Sequence, residues 1–123
     1  SGTNVLDVTA AKVAITGRAV GSQSADIAAS SSVITMDLSA HNNFEVSCAA
    51  ADEITFSNQT VGQSGNIFFD KTGSAQPTVN AIVAINASSL TALATAGVYH
   101  LTYYVKAASG NNSILVSVSG VLS

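Results

Sequence analysis

Residues 37–71 constrain the fold most, because apolar and polar side chains alternate along them with a period of two. In an extended chain this alternation sends successive side chains to opposite faces, which indicates strands with one buried face. A Gly/Asn/Ser-rich connection over residues 58–65 separates two of the runs. The apolar positions that we expect in the core or at a subunit interface are Phe44, Val46, Ile54, Phe56, Ile67 and Phe69.

Comparable runs, divided by turn clusters, recur along the whole chain. The strand candidates are Val5–Val8, Lys12–Ala19, Val33–Leu38, Phe44–Cys48, Glu53–Ser57, Asn66–Lys71, Val79–Asn86, Gly97–Ala107 and Ser113–Leu122. Short strands spaced by roughly 8–12 residues are typical of an antiparallel sandwich or barrel. The sequence therefore predicts an all-β fold, an antiparallel jelly-roll-like β-sandwich over residues 24–123. An extended N-terminal arm over residues 1–23 precedes it, and we expect this arm to pair with a neighbouring subunit.

The last two strand candidates predict a hairpin. Its buried face would carry Tyr99, Leu101, Tyr103 and Val105, and its other face His100, Thr102 and Tyr104. Residues 88–97 fit either a short helix with a serine N-cap and Gly97 after its end, or a loop with a short strand. No repeat of the length found in solenoid proteins is visible.

The composition limits the partners. Only 9% of the 123 residues are charged, against 47% hydrophobic, and the net charge is −3. The four basic residues are scattered, so we expect no nucleic-acid partner. No apolar run approaches the ~20 residues that span a bilayer, so we expect no membrane partner. A surface so poor in charge suits a protein that is covered by neighbouring subunits.

Residues capable of chemistry are few and dispersed. His41 lies in a turn and His100 on the less apolar face of a strand, and no nucleophile motif accompanies either. The single cysteine, Cys48, falls on an apolar face and is interpreted as a small buried hydrophobe. The sequence predicts no enzyme and no catalytic, cofactor-binding or metal-binding residue. Sugar stacking would have Tyr104 or Tyr99 as its platform.

Three segments carry a resemblance to a known family. They are DLSAHNNFEV, EITFSNQTVGQSGNIFF and LTYYVKAASGNNSILVSVSGVLS, and the likeness spans roughly residues 32–122. Together they resemble a β-rich domain of bacteriophage tail-fibre and other virion proteins. The resemblance implies a structural protein of the virion, and we expect a homotrimeric capsid decoration (cement) protein. Its partners would be copies of itself and other virion proteins such as the major capsid protein.

Two alternatives accompany that expectation. The first is a tail-fibre or receptor-binding module. Relatives usually carry a proline- and tryptophan-containing segment where this chain has VNAIVAINASSLTALATAG, and this departure puts a shared receptor-binding surface in doubt. The second is a bacterial immunoglobulin-like adhesion domain. The segment GVYHLTYYVKAASGNNS resembles the last hairpin of such domains over about twenty residues.

Overall fold

The computed structural model describes Ala11 and residues 14–122. Strands make up 45% of the described residues and there is almost no helix among them, which confirms the all-β class. The strands are β1 (Gln23–Ile27), β2 (Val33–Asp37), β3 (Asn43–Cys48), β4 (Glu53–Ser57), β5 (Ser64–Lys71), β6 (Thr78–Val79), β7 (Val83–Ile85), β8 (Gly97–Val105) and β9 (Ile114–Val118). One helix, α1 (Ala87–Ala92), lies between β7 and β8.

The first six strands alternate between two sheets. The larger sheet has the order β1-β3-β5-β8-β9-β7, and the smaller one has the order β2-β4-β6. Among these six, each strand of the larger sheet is followed by one of the smaller sheet, and we call such a pair a coil. The β1–β2, β3–β4 and β5–β6 coils stack so that β1, β3 and β5 are parallel, as are β2, β4 and β6.

The predicted antiparallel order is therefore wrong for most of the described strands. Five of their seven strand pairings are parallel, and only β5–β8 and β8–β9 are antiparallel. The reason is the connection: the chain leaves the larger sheet, forms a strand of the smaller sheet and returns in its original direction. Parallel neighbours need such a crossover of a dozen or more residues. Residues 28–42 provide it between β1 and β3.

The buried hydrophobic residues of the described chain form one cluster, to which strands of both sheets contribute. The six apolar positions predicted from the alternation are all buried, with exposures between 0% and 5%. Tyr103 of β8 contacts both sheets, since its ring lies 5.4 Å from that of Phe56 in the smaller sheet and 6.1 Å from that of Phe44 in the larger. Its hydroxyl donates to the Asn42 carbonyl at 2.7 Å, so the buried phenol is hydrogen-bonded.

The C-terminal hairpin and the helix settle two further predictions. Along β8 the buried and exposed side chains alternate as predicted. Residues 87–92 form the helix, but its N-cap is Asn86, whose side chain accepts from the backbone N–H groups of Ser88 and Ser89. Asparagine competes equally with serine for this position. Gly97 begins β8 rather than ending the helix.

The N-terminal predictions are only partly open to comparison. The candidate strand over residues 5–8 lies outside the described residues, as do Lys12 and Val13. Residues 14–22 are exposed and belong to no strand, so the described part of the second candidate is wrong. β1 escaped prediction because its five residues, QSADI, show no apolar alternation.

A turn at the end of β2 holds a carboxylate by hydrogen bonds. Asp37 accepts from the Asn58 side chain at 2.8 Å, and from the Ser39 hydroxyl and backbone N–H at 2.7 and 2.9 Å. The Asn58 side-chain bond, followed by the two Ser39 bonds, lowers the pKa of Asp37 below its ordinary value of 3.8. Asn58 itself has a left-handed backbone with φ of 56°.

Replacing Asn58 with alanine should raise the pKa of Asp37. A lowered pKa in the folded state stabilises that state above the ordinary pKa, and this contribution disappears as the pH falls through the lowered value. An NMR titration of the Asp37 carboxyl carbon should give a midpoint below 3.8 in the parent and a higher one in Asn58→Ala. The matched control is Asn112→Ala, which has the same φ of 56°. Equal Asp37 midpoints in the parent and Asn58→Ala would contradict the prediction.

Candidate interaction surface

The exposed side of the larger sheet forms the most distinctive surface of the described molecule. Alternation along β5, β8 and β9 directs every second side chain away from the core. We call this surface the outer face and define it by Asn66, Phe68, His100, Thr102, Tyr104, Leu115 and Ser117. These seven side chains are all exposed, and no Asp, Glu, Lys or Arg is among them. These seven residues thus combine apolar and neutral polar groups, and the half-buried carboxylates Glu45 and Asp70 lie on the same side of the sheet.

One end of the outer face is apolar. Tyr104 and Leu115 are directly opposite each other on β8 and β9, and they are 47% and 41% exposed. Directly opposite side chains on antiparallel strands pack together, so the two form one continuous apolar patch. An exposed apolar patch on a sheet face is typical of an interaction surface.

The other end of the outer face contains a groove of about 440 Å³. It crosses β1, β3, β5 and β8 and reaches Leu122, which forms an isolated β-bridge with Val98 near the start of β8. The groove is lined by Gln23, Asn43, Phe44, Asn66, Phe68, Tyr99, His100 and Leu122. Leu122 is held there by a backbone bond from its N–H to the Val98 carbonyl, at 2.7 Å. The volume falls within the range of ~300–1,000 Å³ that is usual for small-ligand sites.

A ladder of side-chain hydrogen bonds crosses the groove. His100 Nε2 lies 2.9 Å from Asn66 Oδ1, and Asn66 Nδ2 donates to Asn43 Oδ1 at 3.1 Å. The Asn66 backbone N–H donates to the same Asn43 oxygen at 3.2 Å. An amide oxygen can only accept, so Nε2 is the donor in this contact. The ladder fixes three polar side chains on three adjacent strands.

The structure separates the residues considered for chemistry. His41 follows the turn after β2, and its ring lies edge-on to Phe44 at 6.3 Å. His100 lies on the outer face and forms part of the ladder. Tyr99 is 1% exposed and its hydroxyl lies 2.9 and 2.7 Å from the Ala92 and Thr95 carbonyls, so it cannot be a stacking platform. Tyr104 is exposed and remains a candidate platform for sugar stacking.

Phe68 is the exposed aromatic that sequence reasoning missed. It is 49% exposed and lies directly opposite His100 on the neighbouring strand. A signal was present in the sequence, because Phe68 and Phe69 are adjacent in one strand and must point to opposite faces. Once Phe69 is assigned to the core, Phe68 has to face outward.

Three groups capable of chemistry meet in the interior, at the end of β3 and β5. Cys48 is fully buried, as predicted, and its thiol lies 3.3 Å from the Ala50 carbonyl and 3.8 Å from Asp52 Oδ2. Burial raises the pKa of the Cys48 thiol, and nearby Lys71 partly opposes this effect. Lys71 pairs with Cys48 across the strands and is 1% exposed. Its Nζ has no hydrogen-bond partner among the described residues.

Within residues 14–122 no three His, Cys, Asp or Glu side chains come together as a metal site would require. The described residues contain one helix, α1, and it is too short to cross a bilayer. Comparison of the chain with protein-family models, with curated proteins and with solved structures gives no match.

Proposed function

We propose that this chain is a structural protein of a bacteriophage virion, and specifically a capsid decoration protein that assembles as a homotrimer. In this proposal residues 24–123 form a sandwich of the two sheets, and residues 1–23 form an arm that contacts a neighbouring subunit. Its action is adhesive: it binds copies of itself and the major capsid protein, and it catalyses no reaction.

The observation that carries the proposal is the exposed apolar patch formed by Tyr104 and Leu115 at one end of the outer face. Water is a poor environment for such a patch, and burial against another subunit recovers roughly 25 cal/mol for each Å² of apolar surface. Exposed Ile15 and Val20 add apolar surface to the segment before β1. The resemblance of three segments to virion proteins supplies the setting.

The alternatives have different support. A tail-fibre or receptor-binding module is favoured by the groove around Phe68, which is built like a ligand site. An immunoglobulin-like adhesion domain has less support, because that fold is antiparallel and the coils here are parallel. Electron microscopy of the particle with this chain labelled distinguishes a head from a tail location.

The assembly is tested by analytical ultracentrifugation of the full chain and of Tyr104→Lys combined with Leu115→Lys. We expect three times the chain mass for the parent and a folded monomer for the double variant, because a charge on each strand prevents burial of the patch. Co-sedimentation with capsids of the phage that encodes the chain should be lost in parallel.

The matched control is Val61→Lys, which places a lysine at an apolar residue that is 55% exposed in the loop between β4 and β5. This variant should remain trimeric and bind capsids, and circular dichroism should report the same β-structure for all three proteins. A parent chain that is monomeric and does not sediment with capsids contradicts the proposal. So does a double variant that behaves like the parent.

A further inference from the structure

The groove at the second end of the outer face has the composition of a ligand site rather than of a subunit contact. Its exposed apolar members are Phe68 and Leu122, which are 49% and 50% exposed. Its polar members are two asparagines, one glutamine and one histidine. A few convergent polar groups around an apolar surface are the usual pattern of a small-molecule site.

The hydrogen-bond ladder leaves defined groups free for a ligand. Asn43 Oδ1 and both polar ends of Asn66 are used within the ladder. No side-chain partner within the described residues uses the Asn43 amide N–H₂, the Gln23 carboxamide or His100 Nδ1. These groups include both donors and acceptors. A ligand that binds here must therefore offer both kinds of group, as hydroxyls do.

The aromatic ring of Phe68 selects the shape of the ligand. Phe68 lies on β5 next to the ladder, opposite His100, so the alternation of the strand directs it outward. The face of an aromatic ring is negative and attracts C–H groups, which carry partial positive charge. A pyranose ring presents such C–H groups on one face and hydroxyls around its edge.

The charges around the groove argue against an anionic ligand. No Lys or Arg lines it, so an anion would find no counter-ion there. Glu45 pairs with Phe68 on the adjacent strand and is the nearest carboxylate by register. A negatively charged sugar would be repelled by this side chain.

We propose that this groove binds a neutral saccharide, with the Phe68 ring stacking on the sugar and the Asn43–Asn66–His100 ladder holding its hydroxyls. This goes beyond the decoration role, since binding of a sugar requires neither a trimer nor a capsid. The site is about 13 Å along β8 from Tyr104, counted as four residues at roughly 3.3 Å each, so the two ends of the outer face are separate.

The test is a titration of the full chain, labelled with ¹⁵N, with neutral oligosaccharides. The probes are trimers of glucose, galactose, mannose and N-acetylglucosamine, and sialyllactose serves as a charged probe. We expect at least one neutral probe to shift the backbone resonances of Asn66, Phe68 and His100 at millimolar concentration. Sialyllactose should shift them less.

Three variants assign the binding. Phe68→Ala should weaken it about tenfold or more, because the stacking surface is lost, whereas Phe68→Tyr keeps the ring and should bind like the parent. Tyr104→Ala removes the other exposed aromatic of the same face and should bind unchanged. Circular dichroism confirms that each variant is folded.

Three outcomes overturn the proposal. The first is that no neutral probe shifts the groove resonances at millimolar concentration. The second is that Phe68→Ala binds as well as the parent, and the third is that sialyllactose binds better than every neutral probe. Each result is independent of the sedimentation experiment, so the saccharide site and the capsid role can fail separately.

Discussion

Replacing Gly65 with alanine should prevent the chain from folding stably. A Cβ at this position would lie 1.8 Å from the Asn42 carbonyl oxygen and 2.9 Å from the Tyr103 hydroxyl. Those two atoms are hydrogen-bonded to each other at 2.7 Å, so the methyl group would collide with the backbone and disturb the bond. We expect a loss of about 3 kcal/mol or more in the free energy of unfolding, at the upper end for overpacking.

The measurement is urea unfolding followed by circular dichroism, with Gly120→Ala as the matched control. A Cβ on Gly120 meets no atom within 4 Å, and this glycine has no left-handed backbone that alanine would strain. Its alanine variant should therefore unfold within about 0.5 kcal/mol of the parent. Equal stability of the Gly65 and Gly120 variants would mean that β5 does not approach Asn42 as closely as described here.

Replacing Lys71 with methionine should stabilise the protein. The amine is buried and meets no acceptor in the described part of the chain, so folding removes it from water without compensation. Methionine is also a long unbranched side chain, and it carries no polar group that has to be desolvated. We expect the free energy of unfolding to rise by about 1–3 kcal/mol, in the range found when buried charged groups are replaced by hydrophobic ones.

The comparison uses Lys106→Met, because Lys106 is an exposed lysine at the end of β8. That change should stay within about 0.5 kcal/mol of the parent by thermal and urea unfolding. A Lys71→Met variant less stable than the parent would contradict the prediction. In that case Asp52→Asn would test whether the buried carboxylate of Asp52 compensates the Lys71 charge.

The sequence was a reliable guide to which side chains are buried, but not to how the strands pair. Alternation of apolar and polar residues assigned Phe44, Ile54 and Phe69 to the core, because the side-chain period is set within a strand. The same alternation is produced by parallel and antiparallel strands, and so it does not reveal the direction of the neighbouring strand. Direction depends on the route of the connection, which short polar turns leave open.

The coils could nevertheless have been found. Ile34-Thr35-Met36 and Ile54-Thr55-Phe56 are similar tripeptides, and the structure pairs them position by position, twenty residues apart. The third coil has a longer return, since Ile54 pairs with Val79 twenty-five residues later. This change in length hides the repeat from a search for a constant period.

The candidate surface was predictable only in part. The exposed faces of β8 followed from alternation, and the adjacent aromatics Phe68 and Phe69 required one of them to face outward. The groove itself was not predictable, because it joins Gln23, Asn43 and His100 from strands far apart in the chain. Three of its strands become neighbours only through the crossovers between the coils.

Because the coils are stacked, the natural unit by which such a chain changes length is a whole coil rather than a single residue. In the smaller sheet the middle coil pairs with the first at a constant offset of twenty residues, since Val33 meets Glu53 and Ile34 meets Ile54. Because twenty is an even number, duplication of about twenty residues would add one coil without moving any side chain of the smaller sheet from the core face to the solvent face. An insertion of a single residue within β4 would reverse the faces of the positions that follow it in that strand. Proteins of this fold should accordingly differ in length by whole coils and by the lengths of their turns.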